Sequence, residues 1–144
     1  MALKDEAIKY IESENKYGED KNLYHYNCAE TILNSSNDYY NLNIDPRFLK
    51  AIVPFGGGFY AEKTCGAFTG ALAVLGLILA QDKPTTNEHL KEATKKWIEM
   101  FEKEFGSLEC KEIKPLHRDE TKGCGPVMAR AAELLEEILK SYLS

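Results

Sequence analysis

Long apolar runs and an excess of basic residues are both absent from this chain of 144 residues. The longest charge-free stretch covers residues 64–81, but its mainly aliphatic part covers only residues 71–80. A membrane span needs about 20 predominantly apolar residues, so this stretch predicts a buried central helix and no membrane partner. The 18 basic residues are outnumbered by 23 acidic ones. Because nucleic-acid binding calls for a basic patch, we expect no nucleic-acid partner.

No secretory leader is expected from the pattern at the beginning of the sequence. Met1 leads directly into an amphipathic pattern with Leu3, Ala7 and Ile11 on one face, which is unlike a signal peptide. We therefore expect a cytoplasmic protein, whose thiols stay reduced. With 44% hydrophobic residues, residues 1–144 are predicted to form a single helical domain around one core.

No stretch alternates between apolar and polar residues for long enough to predict a strand. Helical spacing predicts an all-α fold, a compact helical bundle around the buried apolar helix at about 64–80. Other helices are expected at residues 2–15, 28–33, 46–53, 86–105 and from about 126 onward. A capping box of Thr85 and Glu88 should begin the helix at 86–105. The polar cluster 34–38 should end the second helix, and residues 107–122 are predicted to be irregular.

Closely spaced cysteine pairs are absent, although the chain has four cysteines, Cys28, Cys65, Cys110 and Cys124. Without a Cys-x-x-Cys motif, neither a thioredoxin-like pair nor a zinc knuckle is indicated. Any shared site must therefore be assembled by the tertiary fold. A cysteine considered alone is most often a small buried hydrophobic residue.

Three of the four cysteines lie where a helix is predicted to begin. Cys28 follows Asn27, a good N-cap residue, Cys65 follows a glycine-rich loop, and Cys124 lies between two glycines. A helix start presents free N–H groups and the positive end of the helix dipole, which stabilise the reactive thiolate. Cys110 is predicted to lie in a loop and to be a resolving or fourth partner.

Charged residues near the cysteines in sequence are candidates to assist them. Lys63 and Lys122 would favour thiolates nearby, unless their side chains point to solvent. Glu30 and Glu62 would serve a proton transfer. These four assignments depend on sequence proximity alone.

A run of three glycines is the second informative feature. Gly56, Gly57 and Gly58 do not form a Walker motif and do not follow a strand, so a tight turn is favoured over a phosphate cradle. The spacing of Gly66 and Gly70 favours close helix packing, or room for a cofactor beside the adjacent cysteine. Gly56, Gly57, Gly58 and Gly66 are therefore the candidate cofactor-binding residues.

Several motifs occur together from about residue 27 to the last helix. They are Asn27-Cys28-Ala29-Glu30, Phe55-Gly56-Gly57-Gly58-Phe59, the segment 62–72, and then Cys110 and Cys124. In combination they resemble the C_GCAxxG_C_C family. The family name spells Gly-Cys-Ala-x-x-Gly, whereas this chain has Thr64-Cys65-Gly66-Ala67-x-x-Gly70. The resemblance implies a small helical protein whose four cysteines act in redox chemistry or hold a metal centre, as proposed for an iron–sulfur site in the similar split-Soret cytochromes.

The first functional hypothesis is a redox-active protein that performs thiol–disulfide exchange or electron transfer, as a thiol–disulfide oxidoreductase would. The Cys65 or Cys124 thiolate would attack, and a second cysteine would resolve the mixed disulfide. Its partner would be a redox protein or a small thiol or disulfide. An exposed pair, Tyr39 and Tyr40, would in addition favour a homodimer.

The second hypothesis is a metal-binding electron carrier. Cys28, Cys65, Cys110 and Cys124 would then hold an iron–sulfur cluster or zinc. A third alternative is a non-catalytic helical interaction domain whose buried cysteines are unrelated to one another.

Overall fold

Seven α-helices make up most of the described chain. The computed structural model describes residues 2–83 and 86–143. Within them the helices are α1 (Leu3–Glu12), α2 (Cys28–Tyr40), α3 (Pro46–Ala51), α4 (Gly66–Leu79), α5 (Glu88–Phe105), α6 (Cys110–His117) and α7 (Gly125–Leu143). These described residues contain no sheet and two isolated β-bridges. The all-α prediction is confirmed.

Helix α4 is the buried helix predicted from the charge-free stretch. It packs against α2, α5 and α7, and side chains such as Ala67 and Val74 have no exposed surface. On α5, Trp97 stacks on Phe68 and donates its indole N–H to the Phe68 carbonyl oxygen at 3.1 Å. Among the described helices, none has the length and apolar character that a membrane crossing requires. The core therefore lies where α4 meets its three neighbours.

Helices α2 and α4 approach each other through glycine, as the Gly66–Gly70 spacing predicts. A Cβ atom added to Gly66 would lie 3.0 Å from the Ala29 backbone nitrogen, and one added to Gly70 would lie 2.9 Å from the Ala29 carbonyl oxygen. Both distances are too short for ordinary packing, so only glycine allows this approach. The contact brings the beginnings of α2 and α4 together, and with them Cys28 and Cys65.

We expect Gly70→Ala to destabilise the protein by about 1–3 kcal/mol, because the added methyl group overpacks the α2–α4 contact. Gly76→Ala is the matched control in the same helix. A Cβ atom at Gly76 would meet nothing within 4 Å, so this substitution should be neutral or stabilise by up to about 1 kcal/mol through helix propensity. Urea unfolding of both variants measures the difference. Equal stabilities would contradict the proposed close approach.

Helix α2 continues beyond the point where its polar cluster was expected to end it. The Asn34 side-chain amide donates to the Glu30 carbonyl oxygen at 2.8 Å, and such local bonds allow short polar residues to remain inside a helix. The helix ends at Tyr40, and Asn41 follows in the left-handed conformation. The predicted end near residues 34–38 was therefore wrong.

Helix α6 was also not expected from the sequence. Residues 107–122 were predicted to be irregular, but Cys110–His117 is helical. The helix is short, it contains Pro115, and it buries only Cys110 and Ile113. With so few buried positions, the sequence of this helix shows almost no helical spacing of apolar residues.

Three smaller differences concern element ends and exposure. The first α-helix ends at Glu12, and 3-10 turns continue over Ser13–Tyr24. Asn87 is the N-cap of α5, while the predicted cap Thr85 lies outside the described residues. Tyr39 and Tyr40 are partly buried against the core, so the exposure on which the predicted homodimer depended was wrong.

Candidate functional site

All four cysteines lie at the beginning of a helix. Cys28 is the first residue of α2, Cys65 is the N-cap of α4, and Cys110 is the first residue of α6. Cys124 directly precedes α7, and its carbonyl oxygen accepts a bond from the Met128 N–H at 3.0 Å. The predicted positions of Cys28, Cys65 and Cys124 are confirmed. The predicted loop position of Cys110 was wrong, because the residue begins α6.

The sulfur of Cys28 accepts hydrogen bonds from donors at two helix starts and in one turn. The Cys65 thiol donates to it, and so do the backbone N–H groups of Gly57, Gly66 and Cys28 itself. These bonds outweigh burial and lower the pKa of Cys28 to about 6. Cys28 is therefore a thiolate at neutral pH, the form that acts as a nucleophile.

The Cys65 thiol has the opposite character. Its hydrogen bond to Cys28, its burial and the negative charge of Cys28 raise its pKa, although the N–H groups of Ala67 and Phe68 act in the other direction. Cys65 is only 5% exposed, whereas Cys28 is partly exposed. The negative charge is therefore favoured on Cys28 over Cys65, and an attacking role for Cys65 stays a prediction.

A left-handed turn directs the Gly57 N–H at this pair. Gly57, Gly58, Phe59 and Tyr60 all have φ between 60° and 63°. The Lys63 N–H closes the turn by donating to the Gly58 carbonyl oxygen at 3.0 Å. Left-handed backbone costs an L-residue about 1–2 kcal/mol, so Phe59 and Tyr60 hold strain beside the thiolate. The predicted tight turn is confirmed.

The other two candidate glycines have contacts of their own. A Cβ atom on Gly56 would lie 2.1 Å from Cγ of the Asn27 side chain, and Gly66 is packed against α2. That Asn27 side chain caps α2 by accepting from the Glu30 N–H at 2.9 Å and donates to the Val53 carbonyl oxygen at 3.0 Å. Cofactor binding by Gly56, Gly57, Gly58 and Gly66 stays a prediction.

Cys110 is tied to the Cys65 segment by a backbone bridge. Thr64 and Glu109 form an isolated antiparallel bridge. The Cys65 N–H donates to the Leu108 carbonyl oxygen at 2.7 Å, and the Cys110 N–H donates to the Lys63 carbonyl oxygen at 2.6 Å. The bridge therefore fixes the start of α6 against the start of α4.

Cys110 and Cys124 share one electrostatic environment. Burial raises the pKa of both thiols, and the negative charge of Cys28 raises them further. Lys114 and Arg118 act in the opposite direction on both. Burial thus disfavours a thiolate at Cys124, whose attacking role stays a prediction, and Cys28 is the cysteine whose pKa is lowered.

The charged neighbours of the site differ from those expected. Lys114 and Arg118 act on the thiols, whereas the side chains of Lys63 and Lys122 are exposed. Glu62 forms an ion pair with Lys114, with an Oε1–Nζ distance of 3.0 Å. The basic residues were missed because they lie four and eight positions beyond Cys110, and their proximity depends on α6, which was not predicted.

The four thiols are free in this structure. Among the residues that the structure describes, no group of three or more Cys, His, Asp or Glu side chains is placed to hold a metal ion. Binding of an iron–sulfur cluster or zinc by the four cysteines therefore stays a prediction. The arrangement fits the chemistry of a thiolate beside a protonated thiol.

Comparison with known proteins identifies the family of the chain. No curated protein and no solved structure matches it. One family model, described as "Putative redox-active protein (C_GCAxxG_C_C)", matches residues 26–138. This match includes all four cysteines and well over half of the 144 residues. The chain therefore belongs to the C_GCAxxG_C_C family, which that description assigns to redox activity.

Proposed function

We propose that this protein performs thiol–disulfide exchange, with Cys28 as the attacking thiolate and Cys65 as the resolving thiol. The observation that carries the proposal is the hydrogen bond from the Cys65 thiol to the Cys28 sulfur, at a sulfur that also accepts three backbone N–H groups. The partly exposed Cys28 would meet the substrate. The substrate would be a disulfide of a redox partner protein or a small disulfide molecule.

In the first step the Cys28 sulfur attacks one sulfur of the substrate disulfide. A new sulfur–sulfur bond joins Cys28 to that half of the substrate, and the old bond breaks. The other half leaves with the electron pair as a thiolate. Cys28 loses its negative charge in this step.

The loss of that charge prepares Cys65 for the second step. The two effects of Cys28 that raise the pKa of Cys65 disappear, whereas the N–H groups of Ala67 and Phe68 remain. Cys65 then releases its proton and attacks the Cys28 sulfur, and the second half of the substrate leaves as a thiolate. The substrate disulfide has gained two electrons, and Cys28 and Cys65 are joined by a disulfide.

We expect Cys65→Ser to trap the mixed disulfide on Cys28. The serine hydroxyl can still donate to the Cys28 thiolate but cannot resolve the intermediate. With one equivalent of the aromatic disulfide 5,5′-dithiobis(2-nitrobenzoate), the parent protein should release two nitrothiolates per chain, and Cys65→Ser should release one. Absorbance counts the released thiolate, and peptide mass spectrometry locates the adduct.

Cys124→Ser is the matched control, since it removes another partly exposed cysteine. It should release two nitrothiolates, as the parent does. Release of two by Cys65→Ser would contradict the resolving role of Cys65. If anaerobic incubation with iron and sulfide gave a cluster held by the cysteine thiolates, metal-based electron transfer would replace the proposed function.

A further inference from the structure

The turn that reaches the Cys28 thiolate carries three aromatic side chains that the fold leaves exposed. Phe55 is 40% exposed, Phe59 is 43% exposed and Tyr60 is 73% exposed. The rings of Phe55 and Phe59 meet edge to face, with 5.8 Å between their centroids. Every residue in the segment 54–61 is uncharged. These three side chains are called the aromatic patch below.

Backbone contacts fix the aromatic patch beside the two thiols of the proposed exchange. The Gly57 N–H donates to the Cys28 sulfur. A Cβ atom added to Gly66, at the start of α4, would lie 3.0 Å from the Phe55 carbonyl oxygen. Tyr60 is close to Gly57 in sequence, so their Cα atoms lie at most about 11 Å apart. The patch is therefore continuous with the point at which a substrate disulfide would be attacked.

The backbone that carries two of these rings is strained. Phe59 has a φ of 62°, and Tyr60 has a φ of 60°. Bulky residues other than glycine rarely adopt this left-handed conformation. Burial in the core would offset the strain, but both rings are exposed. Because strained residues cluster at binding and catalytic sites, the strain indicates that the exposed rings bind something outside the chain.

The chemistry of the patch decides what covers it. An uncharged aromatic surface gains free energy by burying apolar groups, and a small polar disulfide molecule would leave the rings in water. A polypeptide segment with apolar residues around its disulfide cysteine would cover them. An extended segment advances about 3.3–3.6 Å per residue, so residues within about three positions of that cysteine span a distance of this size.

The area of the patch fits a brief encounter with such a partner. An aromatic side chain buries about 150–250 Å², and roughly half of each ring is exposed here, which gives roughly 300 Å² for the patch. A stable interface buries about 1,200–2,000 Å² in total, and redox encounters lie at or below the lower limit. The patch is therefore suited to a partner that exchanges its disulfide and leaves.

We infer that the aromatic patch is the docking surface for a partner protein, which lays an apolar segment around its disulfide cysteine across Phe55, Phe59 and Tyr60. This inference rests on the proposed exchange function and names the class of its substrate. The chemical step is unchanged. The partner's disulfide gains two electrons and becomes two thiols, and Cys28 and Cys65 lose two electrons and become a disulfide.

Two matched peptide disulfides test this docking on the reduced full-length protein. One is the disulfide-linked dimer of acetyl-Lys-Phe-Leu-Cys-Leu-Phe-Lys-amide, and the other has serine in place of each Phe and Leu. Acid quenching and chromatography give the rate constant for release of peptide thiol, divided by that of the same peptide with dithiothreitol. In the parent we expect this normalised rate constant to be at least about 10-fold larger for the apolar peptide, the effect of burying one large apolar side chain.

Substitutions in the patch should remove this preference. Phe59→Gly and Tyr60→Gly each delete a ring and relieve the left-handed strain, so the urea midpoint should stay equal or rise. The ratio of the two normalised rate constants should fall in each variant and approach about 1 in the double variant. The ratio is the readout, because a change in the thiolate itself affects both peptides alike.

Two further variants serve as controls for the ratio. Tyr60→Phe keeps the ring and should keep the preference of the parent. Leu77→Ala removes a side chain that is 42% exposed, as Phe59 nearly is, but lies about 16 Å along α4 from Gly66. It should also keep the preference.

Equal normalised rate constants in the parent would overturn the inference and leave the proposed function intact, since both peptides would still oxidise Cys28 and Cys65. A preference that persists in the double variant of Phe59 and Tyr60 would overturn it as well. So would a parent dimer in sedimentation that Tyr60→Gly dissociates, because a second copy of the chain would then cover the patch. If the protein reduced neither peptide, the proposed function itself would fail.

Discussion

Iodoacetamide will modify Cys28 ahead of the other three thiols at pH 7, with a midpoint of the pH–rate profile near 6. The Cys65 thiol and three backbone N–H groups stabilise the thiolate and lower the pKa of Cys28 to about 6. A free cysteine has a pKa of about 8.5 and is only a few per cent thiolate at pH 7. Peptide mapping after timed alkylation, at half-unit steps from pH 5 to 9, measures each thiol separately.

Two variants at Cys65 test how much the hydrogen bond from this side chain contributes to the reactivity of Cys28. Cys65→Ala removes the largest cause of the lowered pKa and should move the Cys28 midpoint upward. Cys65→Ser keeps a hydroxyl donor and should move it less. A Cys28 midpoint near 8.5 in the parent would contradict the assigned hydrogen bonds. Faster modification of Cys124 than of Cys28 would contradict the choice of nucleophile.

The free energy of unfolding will rise between about pH 6 and pH 8.5, and Cys28→Ser will remove much of that rise. In this range the unfolded thiol is protonated while the folded Cys28 is ionised, so the unfolded state binds more protons and stability increases with pH. A pKa of about 8.5 unfolded and about 6 folded corresponds to at most about 3 kcal/mol. The contribution disappears as the pH falls through 6.

Cys65 has the opposite dependence at higher pH. Its folded pKa is raised. Its contribution to the free energy of unfolding is therefore complete below the unfolded pKa of about 8.5 and is lost as the pH rises further. Urea unfolding of the reduced parent and of Cys28→Ser, at matched pH values, gives a difference curve in which the titrating groups that do not interact with Cys28 cancel. A flat difference curve from pH 6 to 8.5 would contradict the folded thiolate.

Local sequence signals were sufficient for most of the helices and for three of the four cysteine positions. Asn27 is a strong N-cap by chemistry alone, and the charge-free stretch after Cys65 predicts a buried helix whatever it packs against. The Gly66–Gly70 spacing also predicts close packing before its partner is known. These signals lie within a few residues of the features that they predict.

Such local signals could not predict which cysteine is the thiolate. Cys28 and Cys65 each lie at a helix start, so local electrostatics makes them equivalent. The difference comes from the Gly57 N–H, delivered by a left-handed turn 29 residues away in sequence, and from a hydrogen bond between the two thiols. Neither has a local sequence signature.

By itself, the sequence determined that the protein is helical and that Cys28, Cys65 and Cys124 begin helices, because capping and periodicity act over short distances along the chain. The tertiary structure alone decided that Cys110 also begins a helix and that Cys28 carries the charge. The reason is that the Thr64–Glu109 bridge and the contact of Ala29 with Gly66 and Gly70 bring distant segments together. Backbone N–H groups from these segments then reach the Cys28 sulfur. A pKa depends on those spatial neighbours, so which cysteine is the thiolate is a property of the fold.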